Sequence, residues 1–203
     1  MKTLRTNQFV DIVGFVDPAS GKTSTPGCQN AIVIIGQDEE GKAFVVDEYA
    51  ERTSSDALNL AVFAKNRRWR CKRFGVEASA QQYLYYEAIV REAQIRRERI
   101  ILVPVEQPTN QTKEWRITTT IQEWMHNGML YVDESCTELL KQLKNYPNGQ
   151  LVDVVDACAS ALRMLRNPFA TRRQLEYDDL YEADVQQRRD MRNDARYSPF
   201  ARR

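Results

Sequence analysis

The chain has 203 residues, of which 42% are hydrophobic and 9% aromatic, and 29 basic residues nearly balance 28 acidic ones, for a formal net charge of +1. This length and composition allow a domain with a sizeable core and exclude a chain that is disordered throughout. The near-zero charge excludes a histone-like basic protein. Any surface for nucleic acid must therefore come from local segregation of charge.

The apolar runs, the thiols and the single histidine exclude further classes. No apolar run approaches the ~20 residues needed to cross a bilayer, and Asp11 arrives before a signal-peptide core could form, so we expect no secretion signal. The cysteines at 28, 71, 136 and 158 form no CxxC pair, which favours free thiols in a reducing cytoplasm over a structural zinc site. With His126 as the only histidine, carboxylates are the expected reagents of an enzyme.

The first part of the chain predicts three antiparallel strands. Apolar residues at 9–17 predict a buried strand that ends at Asp17, just before a Pro-Ala-Ser-Gly turn. Two more strands, at 31–36 and 43–49, are separated by a short polar segment with glycine, which is the pattern of a hairpin.

Helices and strands alternate after this hairpin. Periodicity predicts helices at 54–67, 80–98, 113–126, 135–145 (capped by Ser135) and 152–166, strands at 74–78 and 100–105, and a short strand or extended piece at 129–132. This order predicts an α/β fold, a mixed sheet with helices on both faces. Large aliphatic residues are sparse after Pro168, so we expect a domain at 1–167 and a charged tail at 168–203, flexible or used for docking.

Four carboxylates stand out by their positions. Asp17 ends the first predicted strand, Glu77 ends the fourth, and Asp153 and Asp156 open the last helix. Their spacing of three places Asp153 and Asp156 on one helical face, at the edge of an apolar core. Repulsion and desolvation would destabilise such a pair. The helix dipole offsets only about 1 kcal/mol, so a divalent cation would stabilise the pair much more.

Each of these acids also has an ordinary structural interpretation. Asp153 could be the N-cap of the last helix and Asp156 a first-turn acid, and acids at strand ends are common in turns. Their order along the chain favours a site, because an acid follows the first strand, another follows the fourth, and a pair opens the last helix.

This order and four short motifs resemble the ribonuclease H-like nuclease domain of tailed-phage large terminase subunits. The motifs are FVDPASGK at 15–22, RFGVEAS at 73–79, KEWRI at 113–117 and YPNGQLVDVVDACASAL at 146–162, within a resemblance over about 9–166. In that family an aspartate follows the first strand in a D-P-A context, as Asp17 does, and an acid closes the fourth strand, as Glu77 does. A D-D-x-x-D-A motif opens the last helix, where Val152 here replaces the first acid, so both Asp153 and Asp156 stay candidates.

The resemblance implies a metal-dependent endonuclease that cuts concatemeric duplex DNA during viral genome packaging. We therefore expect a ribonuclease H-like mixed sheet of five strands, three antiparallel and then parallel ones. The family's two-metal mechanism implies that Mg²⁺ or Mn²⁺ is bound. Its catalytic residues and metal ligands would be Asp17, Glu77, Asp153 and Asp156, whose oxygens suit Mg²⁺.

Basic residues are the candidates for contacting DNA, since lysine and arginine bind phosphates without reading sequence. Lys113 and Arg116 match a basic motif of the resembled family, and Lys22 is placed near the scissile phosphate. The run KNRRWRCKR at 65–73 adds Arg67, Arg68 and Arg70. For Lys22 and for this run, a solvated turn or helix end is the alternative interpretation.

The resemblance also implies partners and a location. They are double-stranded DNA, the terminase ATPase domain (which we do not find in this chain), the portal protein and the small terminase subunit. We expect no membrane, a monomeric isolated domain, and a place in the host cell cytoplasm on the viral procapsid. Two alternatives are a resolvase or transposase of the same superfamily and a non-catalytic module that docks on portal or capsid, and metal binding would separate the latter from both enzymes.

Overall fold

The computed structural model describes residues 6–19, 28–77, 80–107 and 110–169. The chain divides into two units, Met1–Arg166 and Asn167–Arg203, and the elements below belong to the first. Of the predicted tail, residues 170–203 lie outside the described part, so its character stays a prediction. None of the helices in the described ranges combines the length and the apolar composition that crossing a bilayer requires.

A mixed sheet of six strands forms the centre of this unit. Its strands are β1 (Asp11–Asp17), β2 (Asn30–Gln37), β3 (Ala43–Glu51), β4 (Arg73–Glu77), β5 (Leu102–Val105) and β6 (Leu130–Val132). They lie in the order β5-β4-β1-β2-β3-β6. β2 pairs antiparallel with β1 on one side and with β3 on the other. β4 pairs in parallel with β1 and with β5, and β6 pairs in parallel with β3. The predicted mixed sheet is confirmed, with one strand more than predicted, because Leu130–Val132 pairs with the start of β3.

Helices cover both faces of the sheet. They are α1 (Ser55–Trp69), α2 (Ala80–Arg96), α3 (Lys113–His126), α4 (Thr137–Asn145) and α5 (Asp153–Leu162). α1 and α2 pack on one face, and α5 lies against β1, β2 and β3 on the other, with α3 and α4 packed on α5. The predicted helices agree with these bounds to within a few residues.

The alternation of side chains along β1 assigns its residues to the two faces. Ile12 and Val16 belong to the core cluster with α1 and α2. Phe15 points the other way, toward Met164 just after α5, since a Cβ built on Gly75 of β4 would meet both side chains within 3 Å. Asp17 lies two residues after Phe15 and therefore on the same face of the sheet. The acid that ends β1 thus faces α5.

α4 is capped by a residue distant in sequence. The helix begins at Thr137, and Ser135 is not its cap, because its N–H and hydroxyl donate to the carboxylate two residues earlier. Instead, the backbone N–H groups of Glu138 and Leu139 donate to the Glu48 carboxylate of β3 at 2.8 and 2.9 Å. A carboxylate satisfies these amides and suits the positive end of the helix dipole.

Candidate active site

The carboxyl ends of β1 and β4 meet at one edge of the sheet. The two strands are parallel, with Val16 opposite Val76, and each ends one residue later, in Asp17 and Glu77. α5 begins at the same edge with two acids in its first turn. The four predicted acids, Asp17, Glu77, Asp153 and Asp156, therefore line one cavity of about 340 Å³.

Asp156 is neutralised by two cations of α3. Its side chain is nearly inaccessible, at 6% exposure, and each carboxylate oxygen has a partner. Arg116 donates from Nη2 to Oδ1 at 2.5 Å, and Lys113 donates from Nζ to Oδ2 at 2.9 Å. The cations differ in accessibility, since the Arg116 side chain is 8% exposed and that of Lys113 is 49% exposed. A buried carboxylate in a protein requires such partners.

Asp153 does not cap its own helix, so the N-cap interpretation is wrong. The N-cap position is Val152, which makes no side-chain cap bond. Asp153 Oδ2 instead accepts the backbone N–H of Gln29 at 2.9 Å, which ties the segment before β2 to α5. The cap comes from Gln142 of α4, whose Oε1 accepts the N–H groups of Val154 and the following residue at 3.0 and 3.3 Å.

Burial and concentrated negative charge both act on the acids of the cavity. Burial, followed by the charges of Asp156, Glu77 and Asp153, raises the pKa of Asp17 to about 8, although Lys113 lowers it. Burial also raises the pKa of Asp153, although the Gln29 N–H and Lys113 lower it. Burial lowers the pKa of Lys113, but its charge interaction and hydrogen bond with Asp156 outweigh this, so the net shift is upward. Added positive charge would stabilise the site.

A divalent cation fits this cavity by donor type. Carboxylate oxygens are the ligands that Mg²⁺ prefers, and four of these groups share the cavity. Within the described ranges, however, no three His, Cys, Asp or Glu side chains are arranged as a ready metal-binding group. Cations already occupy both oxygens of Asp156, and a backbone N–H occupies one oxygen of Asp153. The ligand set Asp17, Glu77, Asp153 and Asp156 therefore stays a prediction.

The structure separates the predicted DNA-contacting residues into groups. Lys113 and Arg116 line the cavity with the acids, whereas Lys22 lies outside the described residues. Arg67, Arg68 and Arg70 stand at the other end of the sheet, because α1 runs from the carboxyl end of β3 to the amino end of β4.

The basic residues at the far end already have intramolecular roles. Arg67 pairs with Glu98 at 2.7 Å, and Arg68 approaches Asp47 to 3.6 Å. Arg70 ends α1 in the left-handed conformation, with φ of 53°. These residues do not form one continuous rim with Lys113, and their contact with DNA stays a prediction.

Two glutamines of the site were missed by sequence reasoning. Gln142 caps α5, and Gln107 lines the cavity, donating to Ser160 at 3.2 Å and accepting from Arg163 at 3.0 Å. Gln107 follows a short strand in a polar loop and carries no sequence signal. Gln142 does carry one, because it lies three residues after Leu139, on the apolar face of its helix.

A family model described as "Terminase RNaseH-like domain" matches residues 14–165. No curated protein sequence matches the chain.

Solved structures that resemble the fold include terminase nucleases and resolvases. The large terminase nuclease from thermophilic phage G20c is 14% identical, with 77% of this chain and 84% of that chain covered and a TM-score of 0.49. The yeast mitochondrial Holliday junction resolvase Ydc2 is 11% identical over 76% and 78%, with a TM-score of 0.47. T. thermophilus RuvC in complex with a Holliday junction substrate is 14% identical over 74% and 90%, with a TM-score of 0.43.

These TM-scores are below 0.5, so the assignment rests on the family match and on the strand topology. The match covers well over half of the chain and runs from β1 to the end of α5. The three antiparallel strands followed by parallel ones agree with the predicted sheet, and the four acids lie together at one edge of it. The chain therefore belongs to the family of terminase ribonuclease H-like domains.

Proposed function

We propose that this domain is a metal-dependent endonuclease that cuts concatemeric duplex DNA during the packaging of a viral genome. Membership of the terminase family supports a nuclease-type function. The observation that carries the proposal further is the cavity at the ends of β1 and β4, where four acids meet two cations of α3. Phosphodiester hydrolysis by divalent cations requires carboxylates that bind the metal ions. A positive side chain beside them can bind the phosphate of the substrate.

The divalent ions would be Mg²⁺ or Mn²⁺, held by Asp17, Glu77, Asp153 and Asp156. When bound as a pair, they supply a water of lowered pKa and stabilise the leaving oxygen. Asp17 is fixed at the end of a central strand, where its raised pKa lets it hold a proton near neutral pH. The Gln29 N–H orients Asp153 through Oδ2.

The two cations have different proposed tasks. Arg116 is buried and holds Asp156 in place. Lys113 is half exposed at the cavity and can meet a DNA phosphate, a contact that depends on charge and not on base sequence. Double-stranded DNA is the proposed substrate. The ATPase domain, the portal protein and the small terminase subunit are the proposed partners, in the host cell cytoplasm.

Cleavage of supercoiled plasmid tests this function. We expect nicking and linearisation with Mn²⁺ or Mg²⁺ and none in excess EDTA. Asp17→Asn should abolish cleavage while circular dichroism stays unchanged, and Asp56→Asn, at an exposed position in the first turn of α1, is the matched control. Cleavage that continues undiminished in EDTA, or in the Asp17 variant, would contradict the mechanism.

A second substrate separates the two enzyme hypotheses. A four-way junction and a linear duplex of the same sequence are compared under the same metal conditions. Preference for the junction would favour a resolvase. If neither substrate is cut and no metal binds, a docking module is the better interpretation.

A further inference from the structure

We propose that Lys113 is an exchangeable internal cation, which neutralises Asp156 in the metal-free protein and leaves the carboxylate when a divalent cation binds. This inference rests on the proposed function, since it needs a divalent cation in the cavity. It assigns Lys113 a role in regulating the same site, in addition to any contact with DNA.

The contacts of Asp156 carry the first step. Both of its oxygens are occupied, Oδ1 by Arg116 at 2.5 Å and Oδ2 by Lys113 at 2.9 Å. A divalent cation that coordinates Asp156 would therefore lie directly beside an ammonium or a guanidinium group, and these like charges repel each other. Because Asp17, Glu77 and Asp153 line the same cavity, a cation entering there competes directly with these partners for Asp156.

Accessibility decides which partner leaves. The Lys113 side chain is 49% exposed and ends a flexible four-carbon stem, so its ammonium group can move into water. The Arg116 side chain is 8% exposed, and moving its guanidinium away from Asp156 would leave a buried charge without its partner. Lys113 is therefore the exchangeable cation and Arg116 the fixed one.

The exchange has a consequence for metal affinity. In the metal-free protein Lys113 compensates part of the charge that makes the cavity attractive to a divalent ion. Removing the ammonium group removes a competitor and adds one unit of negative charge to the site. Lys113→Ala should therefore bind Mn²⁺ more tightly, by about fivefold, as expected for one partly exposed ion pair. Asp156 keeps Arg116, so the variant should fold.

Isothermal titration of Mn²⁺ into the metal-free full chain tests the exchange. We compare the parent with Lys113→Ala, with Lys113→Arg, which keeps the charge, and with Lys141→Ala. The last removes a lysine from an exposed pair with Glu138 on α4 and changes the net charge equally. The exchange predicts tighter binding by Lys113→Ala alone, together with a lower melting temperature of that variant in EDTA.

Any other outcome contradicts the proposed exchange of Lys113. Equal Mn²⁺ affinities of parent and Lys113→Ala would show that Lys113 does not compete with the metal. Weaker binding by Lys113→Ala would make the lysine a support of the metal site, and a gain shared by Lys141→Ala would reduce the effect to net charge. If neither the parent nor any variant binds Mn²⁺, the metal-dependent function fails as well, which distinguishes the two failures.

Discussion

The side-chain oxygen of Gln142 accepts the backbone N–H of Val154 at 3.0 Å, so α4 caps α5. Gln142 is 3% exposed and also accepts the next N–H of the helix. Because these amides are satisfied from outside α5, Asp153 is not needed as a cap and can bind the Gln29 N–H at the cavity. A buried amide on one helix thereby positions an acid on another.

Replacing Gln142 should destabilise the fold. Gln142→Leu keeps the volume but leaves two buried N–H groups of α5 without their acceptor, which should lower the free energy of unfolding by ~1–3 kcal/mol. Urea denaturation in EDTA measures this, with Lys141→Ala on the exposed side of α4 as the control, expected within ~0.5 kcal/mol of the parent. A Gln142→Leu variant as stable as the parent would show that water replaces the cap.

Arg116 should contribute far more to stability than its neighbour Lys113. Arg116→Met removes one partner of a carboxylate side chain that is 6% exposed, and breaking a buried ion pair lowers the free energy of unfolding by ~3–5 kcal/mol. The double variant Arg116→Met with Asp156→Leu removes both charges and should recover much of this loss. Chemical denaturation of the variants measures both effects. Equal losses in the single and double variants would instead indicate that packing by Arg116, not its charge, is what matters.

The raised pKa of Asp17 makes the stability of the metal-free protein depend on pH. The folded carboxyl group has a pKa of about 8, against 3.8 as the ordinary value, so the folded chain binds more protons between these limits. The stability associated with the protonated group is complete below about pH 4 and is lost as the pH rises toward 8.

Asp17→Asn should remove that dependence. In EDTA the variant should be more stable than the parent near pH 8, by an amount on the order of a few kcal/mol, and the gap should narrow toward pH 5. Denaturation curves at several pH values test this, with Asp56→Asn following the parent. Parallel pH profiles of the parent and Asp17→Asn would contradict a proton held on Asp17.

The two groups of basic residues should differ in their effect on DNA binding. With Ca²⁺ in place of Mg²⁺, chosen to fill the cavity and release Lys113 from Asp156 without cleavage, Lys113→Ala should weaken binding to duplexes of any sequence and lower the slope of log affinity against log salt by about 1. Arg67→Ala should change that slope less, because this guanidinium already pairs with Glu98 at the far end of the sheet. If Lys113→Ala and Arg67→Ala lowered the salt slope equally, DNA would contact both the cavity and the far end of the sheet.

The sequence predicted the sheet well because its signals are local. Apolar runs marked β1 and β2, and the short polar segment after β2 marked the hairpin to β3. β6 was ambiguous, because three residues carry little periodicity and its pairing with Ala43–Val45 depends on a partner far away in the chain. The prediction of Ser135 as the cap of α4 was wrong for the same reason. The actual cap is Glu48, which lies 90 residues before Glu138, the residue whose N–H it accepts.

For the site, the sequence predicted which residues meet but not how they are paired. The positions of the four acids followed from strand ends and from helical spacing, and all line one cavity. That Arg116 is buried against Asp156, 40 residues away, follows from the packing of α3 on α5. Basic residues look alike in a sequence, whether they face solvent, as Arg68 does, or a buried carboxylate.

The outer strands of the sheet bear on how the domain behaves in a crowded solution. β5 and β6 have four and three residues, while β2 and β3 inside the sheet have eight and nine. Past the segment that β6 covers, β3 has a register shift and carries acids at 47, 48 and 51. Short, bulged and charged edges resist pairing with another sheet. With a net charge of only +1, mutual repulsion between copies is weak, so we expect edge geometry to be the main barrier to edge-to-edge pairing.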